Sequence, residues 1–144
     1  KTHEETINIE PRKVQEKTVT LLTIDMALLQ KAMMFENMMK WQDAFNTYDE
    51  FIKQYSNSSA ADIAYYRKGH VAMSNLNQVD TAIKTFNELL ERYPEPMTRG
   101  EAYYGLIKAY LTQGNKEKAK YYHKYLLEKY GDTNAADEAR NMKL

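Results

Sequence analysis

Cysteine is absent from the 144 residues, and with it a thiolate nucleophile, a zinc ribbon and an iron–sulfur site are excluded. Glycine and proline are scarce, at five and three. That is too few for the many tight turns of an all-β fold, so a helical fold is expected. Net charge is also missing, because 20 basic side chains balance 20 acidic ones. A dedicated nucleic-acid binder would need a basic excess, so no nucleic-acid partner is expected. No apolar run approaches the ~18 residues that a transmembrane helix requires. The length fits one compact domain, which buries roughly two-thirds of its unfolded surface without disulfides or a structural metal.

Catalytic constellations are lacking too. His3, His70 and His123 are far apart, and none sits in a His-Glu-x-x-His pattern, so no metal site is expected. There is no glycine-rich phosphate loop and no Gly-x-Ser-x-Gly turn. Asp49 and Glu50 are adjacent and diverge around a helix, a poor acid–base pair. The expectation is a protein without catalytic residues or cofactor.

The chain begins at Lys1 rather than methionine, which fits a processed or fragmentary form from which a signal peptide could have been removed. Residues 1–11 are mostly polar and lack helical periodicity, predicting a flexible lead-in or a linker from an upstream segment. From Arg12 the pattern changes. Val14, Leu21, Leu28 and Phe35 recur every seven residues, with Leu22, Leu29, Ala32 and Met33 beside them, predicting a long N-terminal helix. The β-branched cluster Thr18, Val19, Thr20, Thr23 and Ile24 weakens its first half and could leave it extended. The stripe either packs on the domain or forms a seam for homo-oligomers.

The strongest signal is internal repetition. Ala44, Ala82 and Ala119 are spaced by 38 and 37 residues, as are Tyr55, Tyr93 and Tyr130, and Ala64, Ala102 and Ala139. The extra residue falls between Ala64 and Ala82, in the connection Asn75-Leu76-Asn77-Gln78. Each unit reads as two helices. The second helices carry the stripes Ala44-Tyr48-Phe51-Tyr55, Ala82-Phe86-Leu89-Tyr93 and Ala119-His123-Leu126-Tyr130. The leading alanine suits a close approach of two helix backbones. Stops are expected at Ser56-Asn57-Ser58-Ser59, Tyr93-Pro94-Glu95-Pro96 and Gly114-Asn115, and at Gly131-Asp132-Thr133-Asn134 as a left-handed glycine followed by a helix cap.

These residues resemble tetratricopeptide repeats. Ala64-Tyr65-Tyr66…Gly69…Ala82…Phe86…Tyr93-Pro94 and Ala102-Tyr103-Tyr104…Tyr110…Gly114…Ala119…Tyr130 follow that pattern. The first copy departs from it, with Leu28, Ala32 and Phe35 on its first helix and Met39 in place of a turn glycine. His123 replaces an aromatic, and Lys68 replaces a leucine. The resemblance implies an all-α solenoid of about three helix pairs, at 25–58, 62–97 and 100–133, within a domain spanning 12–144. It also implies an N-terminal helix and a C-terminal capping helix over 134–144.

The 37–38-residue period exceeds the usual ~34. With the connectors Lys53-Gln54-Tyr55-Ser56-Asn57-Ser58 and Glu91-Arg92-Tyr93-Pro94-Glu95-Pro96, it resembles repeats of bacterial envelope proteins. Two such proteins are the lipoprotein subunit of the outer-membrane β-barrel assembly machinery and the periplasmic coordinator of Tol-Pal with cell division. That resemblance implies a protein-interaction scaffold, periplasmic or outer-membrane-associated, with a cytoplasmic adaptor as the alternative.

In such a solenoid the first helices of successive units line a concave face. The side chains expected there are Gln30, Met33 and Asn37, then Tyr66, Arg67 and His70, then Tyr104, Lys108 and Thr112. Two cations, two tyrosines and several polar groups suit a protein or peptide partner with some acidic character. Tyr65 and Tyr103 are expected inside. Charge also differs along the chain. Five lysines lie between Lys116 and Lys129 against two glutamates, whereas Glu36, Asp43, Asp49 and Glu50 face Lys40 alone. This either keeps helix faces soluble or steers a partner head-to-tail.

Overall fold

The computed structural model describes residues 24–144, and every regular element among them is an α-helix. α1 covers 24–37, followed by α2 (Trp41–Gln54), α3 (Ala61–Ser74), α4 (Val79–Arg92), α5 (Pro96–Gln113), α6 (Lys116–Lys129) and α7 (Asn134–Arg140). The expected lead-in, and the part of the N-terminal helix before residue 24, lie outside the described residues. From α2 to α7 each helix packs on the next in sequence, and α3 also packs on α5 and α5 on α7. Contacts between alternate helices require the hairpins α1–α2, α3–α4 and α5–α6 to stack in order, as in a solenoid.

The repeat period reappears as a structural register. α2, α4 and α6 are each 14 residues long. Two residues before each of them the backbone turns left-handed, at Met39 (φ 59°), Asn77 (φ 55°) and Gly114 (φ 83°). In the first and third turns, the N–H groups of Lys40 and Asn115 each reach back five residues, to the Phe35 and Tyr110 carbonyls at 2.8 Å. In the second turn the Gln78 N–H reaches back six, to Ala72, also at 2.8 Å. That longer closure takes up the extra residue of the second unit.

Packing follows the stripes. Ala44, Ala82 and Ala119 have no exposed surface, and Phe51, Leu89 and Leu126 are fully buried beside them. The Phe86 ring of α4 is wedged between two glycines on flanking helices. A Cβ on Gly69 of α3 would lie 2.7 Å from Phe86 Cε1, and one on Gly105 of α5 would lie 2.6 Å from it. Lys68, where the repeat pattern favours leucine, places its Nζ 2.9 Å from Asp49 Oδ1 and 5.2 Å from the Phe45 ring centroid. Its stem packs while its charge is matched.

Two expectations about helix ends are corrected. Gly131 does not adopt the left-handed conformation; Gly114 is the one glycine with positive φ among the described residues. Gly131 is instead a point of close approach, where a Cβ would stand 2.6 Å from the Leu127 carbonyl oxygen. The cap of α7 is Thr133, whose Oγ1 accepts from the Ala136 N–H at 3.2 Å. The capping helix is also shorter than 134–144. It closes with Asn141 N–H on the Glu138 carbonyl, after which Met142 packs against the core. Arg140 turns back to donate to the Gly131 carbonyl at 2.7 Å.

Candidate functional site

Stacking three hairpins brings α1, α3 and α5 to one face, where they line a groove of about 390 Å³ walled by Glu36, Tyr66, Arg67, His70, Glu101 and Lys108. Larger openings of about 560 and 490 Å³ sit at the α5–α6 and α3–α4 turns, but turn residues line them and no aromatic converges there. The groove is where charge and aromatic surface meet.

Its centre is Lys108. The Nζ donates to the Tyr66 hydroxyl at 3.2 Å and lies 4.5 Å from the Tyr104 ring centroid and 5.7 Å from that of Tyr66. Burial holds the ammonium below its usual value, partly opposed by Glu138 on α7. Tyr66 stacks on His70 and tilts against Phe86, with ring centroids 6.4 and 5.8 Å apart. The wedge described above therefore supports the groove floor. Burial, followed by the Lys108 charge, lowers the His70 imidazole. Arg67 is already engaged, its Nη1 lying 3.3 Å from Glu36 Oε1. The same carboxylate oxygen accepts from the buried Tyr48 hydroxyl, a pairing that raises the phenol alongside the larger effect of its burial.

Of the nine side chains singled out in the sequence, Tyr66, Arg67, His70 and Lys108 line this groove, and Tyr104 lies beneath Lys108. Thr112 is exposed, and its hydroxyl donates to the Lys108 carbonyl at 2.9 Å. Gln30 and Asn37 are exposed on α1, and Met33 packs half-buried against the core around α2 and α3. Tyr66 both faces the groove and packs on the core, so it is more than a contact residue. Tyr65 and Tyr103 are buried.

Glu36 and Glu101 were missed, although their positions carry a signal. Glu36 follows the buried Leu29 and Ala32 by seven and four residues, which puts it on the inward side of α1. Glu101 precedes Tyr104 and Lys108 by three and seven, which puts it on their face of α5.

Residues 26–58 and 63–96 match the family model described as Tetratricopeptide repeat, and the match supports that family for the first two hairpins. The third hairpin, which lies beyond the matched stretches, continues the same stacking. No curated protein matches the chain. Repeats of this kind stack into extended surfaces that bind other proteins. Among the described residues, no helix is long and apolar enough to cross a membrane, and no group of three metal-ligating side chains converges.

Proposed function

We propose that the protein is a non-catalytic interaction scaffold that takes up a peptide segment of a partner protein in the α1–α3–α5 groove. The observation that carries this reading is the convergence, on one face, of tyrosine surface and charged groups from three successive hairpins. The 37–38-residue period and its connectors support a setting in the bacterial envelope, in outer-membrane assembly or envelope maintenance. A photo-crosslinking amino acid at His70, compared with one at exposed Tyr121 on α6, tests the groove in living cells. Crosslinks to one protein from position 70 alone are expected, and crosslinks from position 121 alone would move binding to the other face. Fractionating cells that express the complete gene tests the setting; a cytoplasmic product would favour the adaptor alternative.

A second reading is self-association through α1. Met26 and Met34 are 45% and 59% exposed on that helix, and Met38, in the turn that follows it, is 54% exposed, so three large apolar side chains are left at the surface. Light scattering on the intact chain and on a Met34→Glu/Met38→Glu variant decides it. Equal masses for the two would remove the reading.

A further inference from the structure

Resting on the groove reading above, we infer that the segment taken up carries an acidic and a basic side chain about two to four residues apart, the acid meeting Lys108 and the base meeting Glu101.

The groove has two poles of opposite sign. At one, Lys108 and His70 stand together, while the Arg67 charge is matched by Glu36. Two tyrosines position Lys108 without neutralising it, and among the described residues no carboxylate lies within the 4.0 Å of an ion pair. At the other pole, Glu101 likewise has no cation within that distance among the described residues. What faces it is more negative charge. Burial, followed by Asp62 on α3 and Glu138 on α7, raises the Glu101 carboxyl. Among the described residues neither pole has an ion-pair partner of its own, Glu138 acting on Lys108 only from beyond that distance.

Their separation explains why they do not satisfy each other. Glu101 and Lys108 lie seven residues apart on one face of α5, two turns or about 10 Å along the axis. An extended segment advances ~3.3 Å per residue, so side chains a few residues apart span that gap. A ligand with one charge would relieve one pole and leave the other crowded. A neutral ligand would desolvate both without matching either, which is unfavourable.

The probe is a panel of end-blocked, fluorescein-labelled octapeptides in an Ala/Ser/Tyr background, carrying Glu and Lys at each separation from one to five, with a Gln/Gln control. Fluorescence polarisation reads affinity. The intact protein should bind the best Glu/Lys peptide about fivefold or more tighter than the control. Lys108→Met keeps the aliphatic stem over the tyrosines and should abolish the preference for Glu over Gln. Glu101→Gln should abolish the preference for Lys. A salt series on the unmodified protein gives a reading that needs no substitution, because the Glu/Lys advantage should collapse toward the control as ionic strength rises. Equal binding of Glu/Lys and Gln/Gln peptides by the unmodified protein, or unchanged preferences in both variants, overturns the charge assignment while leaving the groove reading intact. Failure of every peptide to bind overturns the groove reading and the assignment with it.

Discussion

The Phe86 wedge gives the sharpest test of how the hairpins are held together. A methyl group on Gly105 would stand 2.6, 2.7 and 2.8 Å from three atoms of the Phe86 ring, where carbon atoms normally settle at ~3.5–4.0 Å. The ring has no retreat, since Gly69 closes the opposite side at 2.7 Å and Phe86 is wholly buried. Overpacking of this kind costs about 1–3 kcal/mol, and the better helix propensity of alanine returns ~1 kcal/mol. Gly105→Ala should therefore destabilise the fold by up to about 2 kcal/mol, read as a lower urea midpoint with unchanged slope. Phe86→Leu alone should also destabilise, through the space it leaves. Combined with Gly105→Ala it should cost less than the sum, with a coupling of ~1 kcal/mol. Additivity of the two substitutions would refute the wedge.

The turns offer a pair of opposite sign: Met39→Gly should stabilise by about 0.5–1 kcal/mol by removing a left-handed side chain. Gly114→Ala, with nothing within 4 Å of the added methyl, should destabilise by ~1 kcal/mol through φ alone; thermal melts compare the two. Thr133→Val removes both the hydrogen bond to the Tyr130 carbonyl, 2.7 Å, and the cap on Ala136, and should cost about 1–2 kcal/mol. Its signature is early amide exchange confined to α7. The fourth prediction concerns pH. Because the His70 imidazole is lowered on folding, the unfolded chain binds the proton more readily, so stability is complete above ~6.5 and falls as the pH drops through the folded value. The difference in urea midpoint between His70→Gln and the parent protein should then shrink on acidification, and a difference independent of pH would contradict it.

The repeat itself was legible because it rests on periodicity. Alanine and aromatic positions recur at fixed intervals, and burial enforces the same residue types in each copy. Helix stops at Pro94 and Gly114 were legible for a similar reason, since proline and glycine act through their own backbone chemistry. Gly131 was misread because glycine serves two needs that look alike in sequence, positive φ and close approach. Only the position of the Leu127 carbonyl tells them apart. In the groove, aligning the hairpins found Tyr66, His70, Tyr104 and Lys108 on α3 and α5. It missed Glu36 because α1 has its own buried face, defined by Leu29 and Ala32 rather than by the pattern of the later copies.

The register shows why the fold could be read from the repeat while the site could not. Four residues after each leading alanine stand Tyr48, Phe86 and His123. Equivalent in the alignment, they do three different things. Tyr48 extends its hydroxyl to Glu36 and so fixes the carboxylate that engages Arg67. Phe86 fills the slot between two glycines and supports Tyr66 beneath Lys108. His123 donates from Nε2 to the Ala139 carbonyl at 2.8 Å and ties α6 to the capping helix. Stacking requires of this position only that it fill the space between neighbouring hairpins, a condition all three side chains meet. The polar end of each is left to the local partner, so the chemistry of the groove is written in the differences among the copies. A Tyr48→Phe substitution separates the two levels: the hairpins should still stack, while Glu36 loses its donor and Arg67 is held less firmly, which shifts the charge at the groove wall without opening the core.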